Sequence, residues 1–325
     1  MQKILKTSIL NDKKQLPEQS GMFSLSHQND LLYVGYAANL RNKVSAFFSE
    51  NPEDKNLLQL ISLTDTVSYE PTENLFSAFI LAKLAIDKHL PEFNNLIISI
   101  TNYAYLGIDF HNPPFFKVIE DTQEELYYVG AFENRFVLFD FIDVMNALYK
   151  FPNCKDEHYP CHLLKEEKCD GYCLKDNADK AQLVIDNYIF PNFELINELE
   201  KKRQMLMTDL EFLQAELIKK QIKIIQKYYD RLKFLFVTKA INLEFEENGI
   251  YFKIKNGLIE ELKTVKQISG FVISDIEYRD NEFLAIEKNK LAEAFLVYKK
   301  VKELFPRKIE ELYEKTSERL RKKLK

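Results

Sequence analysis

The four cysteines of this chain, Cys154, Cys161, Cys169 and Cys173, are confined to one short segment with the spacing C-x6-C-x7-C-x3-C. Cysteine is a useful small core residue, yet the rest of the chain contains none. Thiols gathered in this way point to a single site that needs four soft ligands, and such a site obliges the segment to fold back on itself. The segment is polar, and Pro160 and Gly171 supply the turns that convergence requires. In a reducing cytosol, a metal is favoured over two disulfides. Structural zinc sites usually bring two ligands on a C-x2–4-C knuckle, and only Cys169 and Cys173 approach that spacing. The wider spacing suits an iron–sulfur cluster held by four thiolates. Zinc is the alternative ion, and incidental buried thiols are the reading without a metal. His158 and His162 lie in the same segment as candidate substitutes for a thiolate.

The length of 325 residues leaves room for two or three domains, and a hydrophobic fraction of 46% with 29% charged residues is globular. With no Trp, aromatic packing falls to 25 Phe and 17 Tyr. No apolar run is long enough to span a membrane, and the start of the chain lacks the apolar core of a signal peptide, so a cytoplasmic protein without a membrane partner is expected. A net charge of −5 does not advertise a nucleic-acid binder. Any such activity must rest on local patches. No Gly-rich phosphate loop, HExxH helix or GxSxG elbow is present.

Strand and helix signals alternate over the first 95 residues. Strands are predicted at 22–27 and 31–35 around a turn at 28–30, helices at 39–48 and 52–63, and a short strand at 66–69. A helix over 72–89 carries a stripe of Leu75, Phe79, Ala82 and Ile86 and stops before Pro91. Strands at 96–100, 115–119 and 126–129 precede a helix at 134–149. From 177 to 237 the pattern is helical, with one Pro at 191. A hairpin signal surrounds Glu247-Asn248-Gly249 within 242–254, and helix-rich sequence from 281 is interrupted at Pro306. The expected class is α+β: a small mixed sheet with helices, a cysteine-ligated metal module, and a helical C-terminal half with a small β element. The expected divisions are 1–95, 96–176, 177–240 and 241–325.

Gly21-Met22-Phe23, Leu32-Tyr33-Val34-Gly35 and the run 39–48 from Asn39 to Phe48 resemble the GIY-YIG nuclease domain, most closely that of the UvrC excinuclease and its Cho-type relatives. The resemblance continues through Phe79-Ile80-Leu81, Pro91-Glu92-Phe93-Asn94, Tyr128-Val129-Gly130-Ala131-Phe132 and the cysteine segment. Leu210-Glu211-Phe212 with Ala215 and Ile222 is similar to the UVR motif, a helical hairpin that docks on UvrB. It therefore implies a nucleotide excision repair protein with DNA and a UvrB-like protein as partners.

The catalytic positions depart from the pattern. The first motif tyrosine falls at Phe23, while the second is kept as Tyr33. The basic residue after the second motif is Tyr36. The arginine that contacts the scissile phosphate matches Lys43, which keeps the charge but not the bidentate fork. A further tyrosine matches Phe47, and the glutamate that holds the divalent ion matches Ala82. Magnesium or manganese thus loses its side-chain ligand, and a metal is what stabilises developing charge in this chemistry. Tyr33 and Lys43 are expected to share a shallow cleft with Ala82 beneath it, as a vestigial centre. Arg41, Lys43 and Asn94 remain as candidate DNA contacts.

Charge supports the same view. Residues 1–95 hold nine Lys/Arg against eleven Asp/Glu, whereas 219–233 holds six Lys/Arg against Asp230 alone. Lys219, Lys223 and Lys227 repeat at one helical turn and form a candidate phosphate row. A solvated helix face is the alternative, and it applies equally to the basic stretch 315–325. The reading that results is a DNA-binding or scaffold component with an inactive nuclease centre. Its competitors are an active endonuclease making a metal-dependent incision in damaged DNA, and a partner-binding helical protein.

Overall fold

The computed structural model describes residues 1–49, 54–96, 103–111, 115–122, 125–150, 161–247, 250–264 and 284–324. They divide into two compact units, Met1–Ser99 and Ile100–Lys325.

Unit 1 is built on a four-stranded antiparallel sheet. Its strands are β1 (Gln2–Leu5), β2 (Gly21–His27), β3 (Asp30–Ala37) and β4 (Thr66–Pro71), in the order β1-β4-β2-β3. The β2–β3 hairpin closes on Gln28 and Asn29, both with positive φ, as a two-residue turn of matching twist demands. Five helices accompany the sheet: α1 (Lys6–Asn11), α2 (Leu40–Ser49), α3 (Lys55–Leu63), α4 (Leu75–His89) and α5 (Glu92–Leu96). Short polar side chains start two of them. Asp54 accepts from the Asn56 and Leu57 amides, and Asn74 from that of Ser77. Leu90 ends α4 in the left-handed conformation just ahead of Pro91.

Strand alternation sorts the motif residues onto two faces. Met22 and Val34 pack with Ala82, with Tyr36 and Ile86 beside them. Phe23 and Leu25 join Val44, Leu60 and Phe93 in a second core, with Tyr33 and Phe47 packed against it. Two motif glycines are required by close approach. A Cβ on Gly35 would stand 2.6 Å from the tip of the Phe23 ring, and one on Gly21 only 2.5 Å from the Glu70 carbonyl.

Unit 2 contains a sheet of β5 (Ala104–Ile108), β6 (Phe116–Ile119), β7 (Tyr127–Phe132) and β11 (Leu284–Ala285), in the order β11-β7-β5-β6, with β11 parallel to β7. Three further strands, β8 (Leu243–Glu247), β9 (Ile250–Lys255) and β10 (Leu258–Thr264), form an antiparallel meander. Its helices are α6 (Arg135–Tyr149), α7 (His162–Lys165), α8 (Ala178–Ile189), α9 (Phe193–Thr208), α10 (Phe212–Ala240), α11 (Leu291–Leu304) and α12 (Pro306–Leu324). Asn134 caps α6 and Asn192 caps α9. One continuous core runs from the first sheet through α6, α8 and α10 to α12. At its centre the Tyr228 ring stacks on Phe141 at 3.7 Å, and its hydroxyl donates to the Tyr188 carbonyl at 2.6 Å.

Some expectations shift. The predicted strand 96–100 does not begin as one, since Leu96 closes α5; its remaining residues lie outside those described. The helical stretch expected from 281 opens instead with β11, and α11 starts only at Leu291. Among the described residues, no helix is long and apolar enough to cross a membrane.

Candidate functional site

In unit 1 the retained tyrosine sits among aromatic rings. Tyr33 lies 6.2 Å from Phe23 and 5.7 Å from Phe47, and Phe23 and Phe47 are themselves 5.7 Å apart. Lys43 extends over the Phe47 ring, with its ammonium 5.5 Å from the centroid. Tyr33 and Lys43 thus share Phe47 as a common support. Burial pushes the Tyr33 phenol up to about 12, and the neighbouring Tyr36 adds to the effect. Near neutral pH it is therefore a protonated donor and not a phenolate base.

Ala82 is not beneath this group. It is 1% exposed on the other face of the sheet, against Met22 and Val34. Tyr36 closes that side by packing edge-on against Phe79 at 5.3 Å. A hard divalent cation needs several oxygen ligands, and the cluster that packs on Ala82 brings hydrocarbon and the Tyr36 ring but no carboxylate. Asp87, on the same helix, is exposed. The residues present do not fit a catalytic divalent ion.

The other candidates of unit 1 are engaged within it. Asn94 clamps β3: its Oδ1 accepts from the Val34 amide at 2.9 Å and its Nδ2 donates to the Val34 carbonyl at 2.8 Å. Arg41 donates from Nε to the Leu16 carbonyl at 2.8 Å and pairs with Glu18, which ties down the loop before β2. Lys43 alone among the basic candidates here is exposed.

The cysteine segment is described from Cys161 onward, and Cys154 and His158 lie outside the described residues. Cys161 and Cys169 are buried and Cys173 is partly so; none of the three is in a disulfide. Gly171 takes a left-handed conformation, and its amide donates to the Cys169 sulfur at 3.2 Å. Burial raises the Cys169 thiol, amides of Gly171 and Tyr172 oppose that shift, and the nearby thiols of Cys173 and Cys161 reinforce it. Among the described residues, no group of three or more His, Cys, Asp or Glu side chains is placed to hold a metal, so the expected four-cysteine module is not formed by them. Cys161, Cys169 and Cys173 are all described, yet they do not converge into such a group. His162 is exposed.

In unit 2, α9 and α10 make an antiparallel hairpin whose turn passes through Leu210 at φ 61°. Its tip is apolar and open to solvent. Leu213 is 85% exposed, and Leu210, Phe212, Met205 and Leu217 are exposed as well. Below the tip, Ile218, Ile222 and Ile225 turn inward while Lys219, Lys223 and Lys227 face solvent. Lys219 pairs with Glu216 at 3.1 Å across an exposed surface, a contact that contributes little. The basic run ends in structural roles: Arg231 donates to the Ala131 carbonyl at 2.6 Å, and Lys233 pairs with Glu310. Tyr228 and Tyr229 are core residues. The sequence resemblance to a docking hairpin named Leu210 and Phe212 of this tip, while exposed Met205, Leu213 and Leu217 were not singled out.

Residues 19–95 match the family model of the UvrC-like GIY-YIG domain. Unit 1 carries a UvrC-like GIY-YIG domain. The UvrABC system protein C of Ligilactobacillus salivarius is 27% identical over 235 residues, covering 70% of this chain and 40% of that protein. Its counterpart from Methanococcus maripaludis is 24% identical over 276 residues, covering 84% of this chain and 46% of the relative. The chain spans less than half the length of these relatives. Among solved structures, the GIY-YIG N-terminal endonuclease domain of UvrC from Thermotoga maritima, bound to magnesium as its catalytic divalent cation, is 25% identical with a TM-score of 0.25; the match covers 27% of this chain and 98% of that domain.

Proposed function

We propose that the protein is a UvrC-like component of nucleotide excision repair that binds DNA and a UvrB-like partner without cutting through its GIY-YIG centre. The observation that supports this reading is buried Ala82, packed with Met22 and Val34 at the position where the resemblance places a metal-holding glutamate. Tyr33 and Lys43 persist, but a neutral phenol and an ammonium do not supply the charge stabilisation of the missing metal. The exposed apolar tip of the α9–α10 hairpin supports a protein-docking role, and the adjoining lysine row supports contact with phosphates. In this reading Cys154, Cys161, Cys169 and Cys173 hold an iron–sulfur cluster that fixes the segment between α6 and α8. The amides of Gly171 and Tyr172 directed at the Cys169 sulfur favour a thiolate ligand, against the burial that disfavours it.

The test combines binding with cleavage. Replacing Lys219, Lys223 and Lys227 together by Gln is expected to weaken duplex binding and to flatten the slope of log K against log salt by up to about 3, at about 0.9 per phosphate contact. Unchanged affinity and slope remove the phosphate row. Magnesium- or manganese-dependent nicking that Tyr33→Phe abolishes establishes the competing reading of an active endonuclease.

A further inference from the structure

Unit 2 holds a cleft of about 590 Å³ where the start of α6 meets α10, α11 and α12. Apart from Phe132 and Lys227, no motif or candidate site residue singled out in the sequence lines it, and neither the cysteines nor the hairpin tip does. One side is aromatic. Phe234 packs edge-on against Tyr298 at 5.2 Å and lies 6.0 Å from Phe295. Phe295 is 47% exposed, on the side of α11 that also carries exposed Lys299 and Lys302 and half-buried Tyr298, so the cleft offers solvent a large apolar ring beside charged groups. Exposed apolar area of this kind is stabilised by whatever covers it.

The other side mixes signs. Lys227 and Lys302 stand beside Asp230 and Glu310, and Lys233 holds Glu310 with N···O distances of 2.6 and 2.8 Å. A site for a simple anion would not be edged with carboxylates, nor a site for a cation with lysines. A flat ring with donors and acceptors on its edge, attached to a phosphate, matches both sides of the cleft. That is the chemistry of a nucleobase: its face covers Phe295, its edge meets the mixed polar groups, and its phosphate meets the rim lysines. The lysine row adds an independent observation, since Lys227 both ends the row on α10 and lines the cleft. A strand whose phosphates follow Lys219 and Lys223 is delivered to the mouth.

We propose that this cleft is a stacking pocket for an unpaired nucleobase, with Phe295 as the stacking ring and Lys227 and Lys302 at the adjoining phosphate. This deepens the DNA-binding reading and rests on it for delivery of a strand. The same chemistry is offered by a base in single-stranded DNA and by a free nucleotide, and the experiment separates them.

The chain has no tryptophan, so Phe295→Trp in the whole 325-residue chain places a single indole in the cleft. Its emission is titrated with a short single-stranded oligodeoxynucleotide, with the same backbone made fully abasic, and with dAMP. Saturable quenching by the ordinary strand and none by the abasic one is expected. Phe295→Ala should weaken binding of the ordinary strand roughly ten-fold, the effect of removing one stacking ring, and leave the abasic strand unaffected. Quenching by dAMP at the same affinity assigns the pocket to a free nucleotide; quenching by the strand alone assigns it to DNA. Equal quenching by both strands overturns the pocket while the lysine row, read from salt dependence of abasic binding, still stands. Quenching by dAMP without any strand binding upholds the pocket and removes the row. Absence of both overturns both. Should Phe295→Ala fail to fold, Lys302→Gln at the exposed rim takes its place, and unchanged affinity for both the strand and dAMP counts against the pocket.

Discussion

Helix α4 in unit 1 and helix α10 in unit 2 are each packed on a sheet or core, yet their outward sides differ. α4 turns Ala82 inward among Met22 and Val34, and the charged Asp87 faces solvent away from the motif strands. α10 buries Ile218, Ile222 and Ile225 and leaves Lys219, Lys223 and Lys227 outside. In unit 1 the framework of the motif is kept because packing requires it: Gly21 and Gly35 make room for neighbours, and Asn94 holds Val34 by both ends of its amide. At Ala82 itself there is no carboxylate. In unit 2 the lysines and the apolar tip proposed to meet partners stand at the surface. Close packing holds the first arrangement, and solvent exposure leaves the second free to bind.

The largest effect that follows concerns metals. The proposed iron–sulfur cluster of unit 2 is the test case, since the described cysteines do not by themselves form a metal-holding group. Protein purified without oxygen is expected to show the visible absorption of an iron–sulfur cluster, and Cys169→Ser to lose that absorption together with the iron. Colourless parent protein with stoichiometric zinc assigns the alternative ion. Neither iron nor zinc in the parent removes the metal altogether, and leaves the buried thiols of Cys161 and Cys169 as packing groups.

The next effect tests the other side of the contrast. Restoring the family's glutamate by Ala82→Glu inserts a carboxylate at a position 1% exposed and lined by hydrocarbon. Burial without partners is expected to cost on the order of 3 kcal/mol of unfolding free energy, read as a lower urea midpoint. Magnesium should neither restore that stability nor produce nicking. Recovery of both by magnesium would show that the centre lacks one ligand and is otherwise intact, and the contrast between α4 and α10 would collapse.

The motif framework was legible in the sequence because its signals are local. The two strands around Gln28 and Asn29, the capped helix α4 and the stop at Pro91 all lie within a few residues of what alternation and capping predict. Other elements were hidden for identifiable reasons. β5, with Ala104 and Leu106 on one side and Tyr105 on the other, is buried on both faces and lacks the alternation that marks a half-exposed strand. The meander was expected to end near 254, although Asn256-Gly257 carries the two-residue turn signal that launches β10. The positions of Ala82 and Tyr33 on opposite faces follow from strand parity, and the motif match alone does not convey it. The aromatic cleft around Phe295 depends on α10, α11 and α12 meeting, which no local pattern encodes.

The smallest effect concerns the Tyr33 hydroxyl. Its pKa in the folded protein, about 12, lies above the ordinary value of 10 because burial disfavours the phenolate. The unfolded chain therefore releases this proton first as pH rises, so the stabilising contribution is complete below pH 10 and declines between 10 and 12. Within that window the parent should lose about 1 kcal/mol per pH unit that Tyr33→Phe does not lose. Tyr188, Tyr228 and Tyr229 of unit 2 are raised too, so the informative quantity is the difference between parent and variant, in which their contribution cancels. Below pH 10 that difference should be flat. A difference that stays flat up to pH 12 would mean that the hydroxyl is solvated, as in an open centre that receives a phosphate, and would narrow the gap between this unit and a working nuclease.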